Sequence, residues 1–272
     1  MKLSLCIAVY NEEKNLHYPM DCAIDIADEV IIVDGGSIDR TIEVAKSYGK
    51  KVTVINSDNP IMFHKNKQKA IEAAKGEWIL QLDADEELTP ELIEEIKIIT
   101  NDELRINDKP VAYNIPRKNF FLTRFLMKGG QYPDYTIRLY KNGVAKFPCR
   151  NVHENVEIIK LPPAPYNLQP KIGFLKNPLL HYADPDFSRY LMRWDRYTTL
   201  EVENMKFVIR NPQLNLNYFN YFIVKPCVTF FLMYFRHKGF MDGFPGFVFA
   251  LFSSIRFWVI YIKWITKSKL RS

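Results

Sequence analysis

The chain has 272 residues, 47% hydrophobic and 25% charged, an ordinary globular composition that argues against disorder and leaves room for a sizeable core. Its net charge of +6 is uneven: from 204 to 272 ten Lys/Arg stand against one acid, Asp242, so the body before that tail is slightly acidic. A basic, aromatic tail suits an anionic surface, either nucleic acid or anionic lipid. Cys6, Cys22, Cys149 and Cys227 form no C-x-x-C pair, which argues against a cysteine zinc site and for a reduced, cytoplasmic setting. Met1-Lys2-Leu3-Ser4 leads straight into a strand-like run, so no secretory signal is read.

In chain order, apolar β-rich runs at 3–9, 30–33, 52–55 and 78–82 predict buried parallel strands. Helix-spaced segments at 16–27, 41–48 and 64–74 lie between them, with Gly49 placed as a C-terminal cap. Thr89-Pro90-Glu91 opens a further helix with a cap residue, a first-turn proline and an acid on the dipole. This alternation predicts an α/β fold with a mostly parallel sheet flanked by helices. Residues 111–160 break into short runs such as 111–115 and 135–140, followed by a proline-stiffened loop at 161–165. From Pro185 the pattern is helical and from Leu214 strongly aromatic.

Ligands of such sheets bind beyond the carboxyl ends of the strands, so the residues that follow each strand carry the functional reading. They are Tyr10-Asn11-Glu12, Asp34-Gly35-Gly36-Ser37, Asn56-Ser57-Asp58 and Asp83-Ala84-Asp85. Acids gathered there repel one another unless a cation sits among them. In extended geometry Asp83 and Asp85 point the same way and can share one Mg²⁺ or Mn²⁺, which would also take oxygens of a diphosphate. Asp34 can accept a hydrogen bond from a base or ribose while Gly35 lets the backbone approach; equally, Asp34 or Ser37 can cap the next helix. Asn11 and Glu12 carry the same two readings, as helix-start residues or ligand contacts. Lys67, near a helix N-terminus, can counter a diphosphate, while Lys65 and Lys69 also suit a solvated basic face.

Ala8-Val9-Tyr10-Asn11-Glu12, Val33-Asp34-Gly35-Gly36-Ser37, Asn66-Lys67-Gln68 and Asp83-Ala84-Asp85 occur in an order that resembles family-2 glycosyltransferases with the GT-A fold. Gly129-Gly130-Gln131-Tyr132-Pro133-Asp134-Tyr135, Arg138-Leu139-Tyr140, Val152-His153-Glu154 and Asn177-Pro178-Leu179-Leu180-His181-Tyr182 resemble the branch that includes lipopolysaccharide-core β-1,4-glucosyltransferases. The resemblance implies a Rossmann-like GT-A domain, a nucleoside-diphosphate-sugar donor, with a UDP-sugar as first choice, and inversion at the anomeric carbon. It assigns Asp34 to the nucleobase, Tyr10 and Glu12 to flanks of the nucleoside, and Asp83 and Asp85 to the metal; Asn11, Gly35, Ala84 and Gln68 complete the substrate-binding set. Lys67 and Gln68 stand where relatives usually carry Arg and Asn; Lys keeps the charge but loses the bidentate fork.

An inverting transfer needs a base for the acceptor hydroxyl. Asp134, between aromatics, is the first candidate and Glu154 the rival; as a turn acid after Pro133, Asp134 has a purely structural reading too. His153 is a metal ligand or phosphate contact, and Arg138 binds phosphate or pairs with Asp134. The expected organisation is a GT-A domain over 1–200, with a nucleotide-binding half to 110 and an acceptor half from 111, then a basic aromatic extension over 201–272. Its uncharged runs at 211–224 and 243–255 fall short of the ~20 residues of a spanning helix, so it is expected in the headgroup plane, or else as a core or dimer helix. Nucleic acid ranks below anionic lipid because aliphatics interleave the basic residues. The expected protein is thus peripheral on the inner face of the cytoplasmic membrane, with a glycolipid or glycan acceptor. A polyprenyl-phosphate sugar transferase or a non-catalytic scaffold are the alternatives. Nucleotidyltransferase and dinucleotide-oxidoreductase readings lack their glycine-rich loop after the first strand, and a phosphatase would place its D-x-D there.

Overall fold

A computed structural model of the chain describes residues 1–60, 62–101, 110–149, 155–159, 171–208 and 218–269. His153, Glu154 and the loop at 161–165 lie outside the described residues. The chain divides into two compact units, Met1–Arg117 with Asp134–His181, and Lys118–Pro133 with Tyr182–Ser272.

In the first unit β1 (Leu3–Val9), β2 (Glu29–Asp34), β3 (Val52–Asn56) and β4 (Trp78–Asp83) alternate with α1 (His17–Ala23), α2 (Thr41–Ser47) and α3 (His64–Ala73). β3-β2-β1-β4 are all paired in parallel, as their continuous apolar runs require. The two-residue period of β1 explains the layers. Leu3, Leu5, Ile7 and Val9 face one core with Leu16, Met20, Ala45 and Leu92, and Cys6 faces the other with Ile31, Val33, Ala70 and Ile79. α1 ends at Ala23, short of the expected 27; Ile24 N–H still reaches the Met20 carbonyl, and Ile26 and Ala27 N–H both reach that of Ala23. Gly49 closes α2 at φ +95° with its N–H on the Lys46 carbonyl.

The rest of the sheet is mixed in direction. β5 (Glu86–Leu88) follows a two-residue turn and leads into α4 (Pro90–Asn101), whose N-terminus Thr89 caps by accepting from Leu92 N–H. β6 (Ala112–Phe121) and β8 (Asp134–Lys141) pair antiparallel, and β8 pairs antiparallel with β4. The first residue of β8 therefore lies at the carboxyl end of β4. β7 (Arg124–Phe125) pairs with the end of β6, β9 (Ala145–Lys146) with β10 (Glu157–Ile158), β11 (Ile172–Phe174) with β6, and β12 (Leu179–Asp184) with β5 through Leu179, Leu180 and His181.

The second unit is mainly helical. α5 (Phe187–Val208) is followed by a π-helical turn at Asn220–Val224, α6 (Lys225–Phe230), a second π-helical stretch at Phe231–Arg236, a 3₁₀ turn at Gly239–Asp242 and α7 (Gly243–Lys269). Its cores join Tyr190 of α5 with Val248 of α7, and Val202 with Tyr221 and Ile260. Gly239–Lys267 is long and apolar enough to cross a membrane by length and composition. The charges at Arg256 and Lys263 break the uncharged run in the sequence, yet the helix continues through both.

Candidate active site

The carboxyl ends of β1 and β2 are laced into one shelf. Asn11 sits at φ +56°, donates its N–H to Ser37 Oγ (2.8 Å) and accepts Ile38 N–H on its side-chain oxygen (2.9 Å). Glu12 N–H donates to Thr41 Oγ1 (2.7 Å), and its carboxylate accepts from Asn15. Asp34 is buried, and its carboxylate accepts the N–H groups of Gly36 and Ser37 and the Ser37 hydroxyl. It braces its own loop rather than capping α2, whose first residue Thr41 is held by Asp39. Gly35 is needed there for close approach: its N–H meets the Val9 carbonyl at 2.9 Å, and an added Cβ would stand 3.3 Å from that oxygen. Tyr10 is exposed beside this shelf.

At the end of β4 the D-x-D is not extended. Ala84, buried, and Asp85 form the turn into β5, which sends the two aspartates to different partners and corrects the expected extended geometry. Asp83 binds Lys67 through Oδ1 and Arg138 through Oδ2 (2.7 Å), and Gln81 donates to Oδ1 at 3.1 Å. Asp85 Oδ1 faces His181 Nε2 at 3.6 Å.

From Asp83 the charges alternate in a row. Arg138 bridges Asp83, Gln81 (2.6 Å) and Glu86 (2.7 Å). Glu86, fully buried, also meets Arg117 at 3.4 Å, and Arg117 holds Asp134 through Nε (3.0 Å) and Nη2 (2.7 Å). The sequence is Lys67, Asp83, Arg138, Glu86, Arg117, Asp134, three cations and three anions in strict alternation. Burial raises the Asp83 and Glu86 carboxyls and is the largest single influence on each, but Arg138 and Lys67 together at Asp83, and Arg138 and Arg117 together at Glu86, outweigh it and hold both below the ordinary range. Burial would lower the two guanidiniums, but Asp83 and Glu86 beside Arg138, and Glu86 and Asp134 beside Arg117, hold them above theirs. His181 is shifted the other way: burial disfavours the imidazolium more than Asp85 favours it, so the ring is kept neutral.

These partners correct one expectation, the pairing of Arg138 with Asp134. Arg138 is buried and committed to Gln81, Asp83 and Glu86, while Arg117 takes the place expected of it beside Asp134. Lys67 is buried against Asp83, with the rings of Phe63 and Phe147 at 5.2 and 5.9 Å. Gln68 accepts from Phe147 N–H (2.8 Å) and donates to Glu72 (2.9 Å). Asn66, its neighbour in the motif, is buried and ties Ser57 and Asp58 to α3. Sequence reasoning missed Gln81, Glu86, Arg117 and the role of His181. Glu86 directly follows the D-x-D and His181 lies in a quoted segment, but only strand pairing, His181 opposite Glu86 and Arg117 opposite Asp134, brings them to this edge.

Among the described residues no three His, Cys, Asp or Glu side chains converge as a metal cluster. The donor set at Asp85 and His181, a carboxylate beside a neutral imidazole, nevertheless fits Mn²⁺ or Mg²⁺ with further oxygens from a diphosphate.

Comparison with known proteins agrees with this architecture. An uncharacterized glycosyltransferase of Rickettsia bellii is 28% identical over 254 residues, 91% of this chain and 80% of its own. The lipopolysaccharide core biosynthesis glycosyltransferase LpsC of Rhizobium meliloti is 24% identical over 265 residues, 94% of this chain and 88% of its own. Among solved structures, the mannosyltransferase PcManGT of Pyrobaculum calidifontis, in complex with GDP-Man and Mn²⁺, has TM-score 0.50 over 98% of this chain and 86% of its own at 12% identity, a likeness of fold. The model of the family described as glycosyl transferase family 2 matches residues 4–141, more than half the chain, and the chain is a member of that family, a glycosyltransferase with the GT-A fold.

Proposed function

We propose that the enzyme transfers a hexose, glucose in the first instance, with inversion from a UDP-sugar to a hydroxyl of a glycolipid or lipopolysaccharide-type acceptor. The observation that carries this reading is the alternating row of charges that joins Asp83, at the end of β4, to Asp134, at the start of β8. Both lie at the sheet edge where a nucleotide sugar would bind. Asp134 takes the proton of the acceptor hydroxyl as that oxygen attacks the anomeric carbon, and the bond to the diphosphate breaks with its electron pair on the leaving group. Asp85 and His181, with His153 as a further candidate, would hold a divalent ion that offsets the charge on the departing diphosphate. Asp83 acts as counter-ion to Lys67 and Arg138, which keeps two cations next to the phosphate position. The shelf of Tyr10, Asn11, Glu12, Asp34 and Gly35 receives the nucleoside. Glu154 remains the second candidate for the base.

The donor class is supported by the GDP-Man and Mn²⁺ in the PcManGT complex, and the acceptor class by the name of LpsC. Residues 1–200 form the catalytic part, nucleotide-binding to 110 and acceptor-facing from 111, and 201–272 attach it to the cytoplasmic face of an anionic membrane. A thermal-shift panel of nucleotide sugars with and without Mn²⁺ tests the donor. A metal-dependent shift with UDP-sugars supports the reading, and no shift with any nucleotide sugar refutes it.

A further inference from the structure

The second unit contains a helical hairpin: the run from Asn220 to Arg236 rises, Gly239–Asp242 turns, and α7 leaves. The turn is stiffly built. Asp242, 2% exposed, accepts the backbone N–H groups of Met127 (3.0 Å) and Lys128 (2.7 Å), and Gly129 N–H donates to the His237 carbonyl (2.9 Å). Gly239 and Gly246 let the two arms close: a Cβ on Gly246 would run into the Gly239 carbonyl, and one on Gly239 would lie 2.7 Å from that of Met233.

What this turn holds outward is apolar. Phe231, Leu232, Phe235, Phe240, Met241 and Phe244 are all exposed, Phe244 at 72%. Six large hydrophobic side chains in one turn exceed the scatter of single residues on an ordinary surface. Arg236, His237 and Lys238 are exposed among them. The one acid between 204 and 272, Asp242, is buried beneath the turn, so the outer face is cationic and aromatic with no carboxylate. A second copy of the same turn would set cation against cation. An anionic phospholipid layer satisfies both features, with phosphates for the cations and the acyl boundary for the rings.

α7 is long enough to span, but its contacts oppose that arrangement. Lys263 Nζ binds Asp195 (2.6 Å), Thr198 and Thr199 of α5, Lys267 binds Glu203 (3.0 Å), and Trp194 donates to the Phe252 carbonyl (3.1 Å). A spanning α7 would carry the charged residues of α5 into hydrocarbon, at a cost on the order of several kcal/mol.

We propose that the turn 231–244 is a lipid-contact tip that enters the headgroup layer of an anionic membrane, with α5 and α7 outside the hydrocarbon. This deepens the membrane part of the functional reading, but its test does not depend on catalysis. The full chain is sedimented with phosphatidylglycerol-containing vesicles and with pure phosphatidylcholine vesicles. Binding is expected to the anionic vesicles and to weaken with salt. The double variant Phe240→Ser/Phe244→Ser should lose at least about tenfold in partition, and Arg236→Gln/Lys238→Gln about tenfold on anionic vesicles only. Far-ultraviolet spectra and melting of each variant establish that it is folded. Wild-type binding by both folded double variants overturns the proposal. So does a dimer in vesicle-free solution that the phenylalanine variant dissociates, since the patch would then be covered by a second copy. A nucleotide-sugar panel without any shift would sink the catalytic reading alone.

Discussion

Arg117 and Asp134 are register partners on β6 and β8, and the guanidinium places two hydrogen bonds, at 3.0 and 2.7 Å, on a single carboxylate oxygen, Oδ2. Two bonds to one oxygen fix the rotation of the carboxylate, and Glu86 steadies the guanidinium from behind. Arg117→Gln should lower kcat about 30-fold and leave KM for the donor within about twofold, whereas Arg117→Lys should restore part of the rate. Steady-state kinetics of UDP-glucose transfer provide the check; equal losses in KM and kcat would assign Arg117 a merely structural part.

Asp134→Asn keeps the shape of the side chain and removes its capacity to take a proton. Transfer should fall by about 10²- to 10⁴-fold while calorimetric affinity for the donor nucleotide stays the same. Wild-type turnover in this variant would move the role of base to Glu154.

Asp85 and His181 face each other at 3.6 Å. Asp85→Asn and His181→Ala should each weaken Mn²⁺-dependent donor binding by about 10- to 100-fold, and chelation should reduce the wild type to a similar level. Titration of Mn²⁺ followed by the thermal shift with UDP-glucose reads both. Asp83→Asn should behave differently, because it leaves Lys67 and Arg138 without their shared carboxylate and should lower the melting temperature even without metal.

Asp34 offers a direct choice between two readings. Its carboxylate accepts from Gly36 N–H, Ser37 N–H and the Ser37 hydroxyl. Asp34→Ala should therefore destabilise the nucleotide-free enzyme by about 1–3 kcal/mol in denaturant titration and weaken the donor as a consequence. Weakened nucleotide binding at unchanged stability would mean that the carboxylate contacts the base and that its hold on the loop is incidental.

Alkylation near neutral pH should separate the cysteines. Burial pushes the Cys22 thiol up to about 11, further raised by Glu87 against a lowering backbone bond from Leu88, and burial carries Cys6 higher still. The thiolate is the nucleophile, so a raised thiol is almost wholly protonated and slow at neutral pH. Cys227, exposed on α6, should label first and Cys6 last, as read by mass spectrometry of intact protein over time.

The parallel half of the sheet was legible because a strand buried on both faces is a continuous apolar run, and the three strand-helix alternations that link β1 to β4 leave few other topologies. The acids after β2 and β4 were legible for the same reason: they punctuate those runs. What escaped depends on pairing across distance. Arg117 lies 17 residues from Asp134, and Arg138 lies 52 from Glu86, so no local pattern selects these partners. Arg138 was expected to bind phosphate or pair with Asp134, and the second partner was wrong because only strand register shows which carboxylates the guanidinium meets. The turn at Ala84-Asp85 escaped because an acid-rich D-x-D can be drawn extended or bent with equal ease. The spanning length of α7 was underread because it was judged by its uncharged run, which Arg256 and Lys263 interrupt without breaking the helix.

The alternation from Lys67 to Asp134 also constrains how the enzyme can drift. Neutralising one member strands a neighbour's charge in a poorly hydrated interior, a defect that a second, compensating replacement next to it relieves. Descendants of this sequence that change the row should do so two positions at a time, and those that change one should be found with altered protonation next door. The wire of opposite signs thereby ties the ancestry of the carboxyl end of β4 to that of the start of β8.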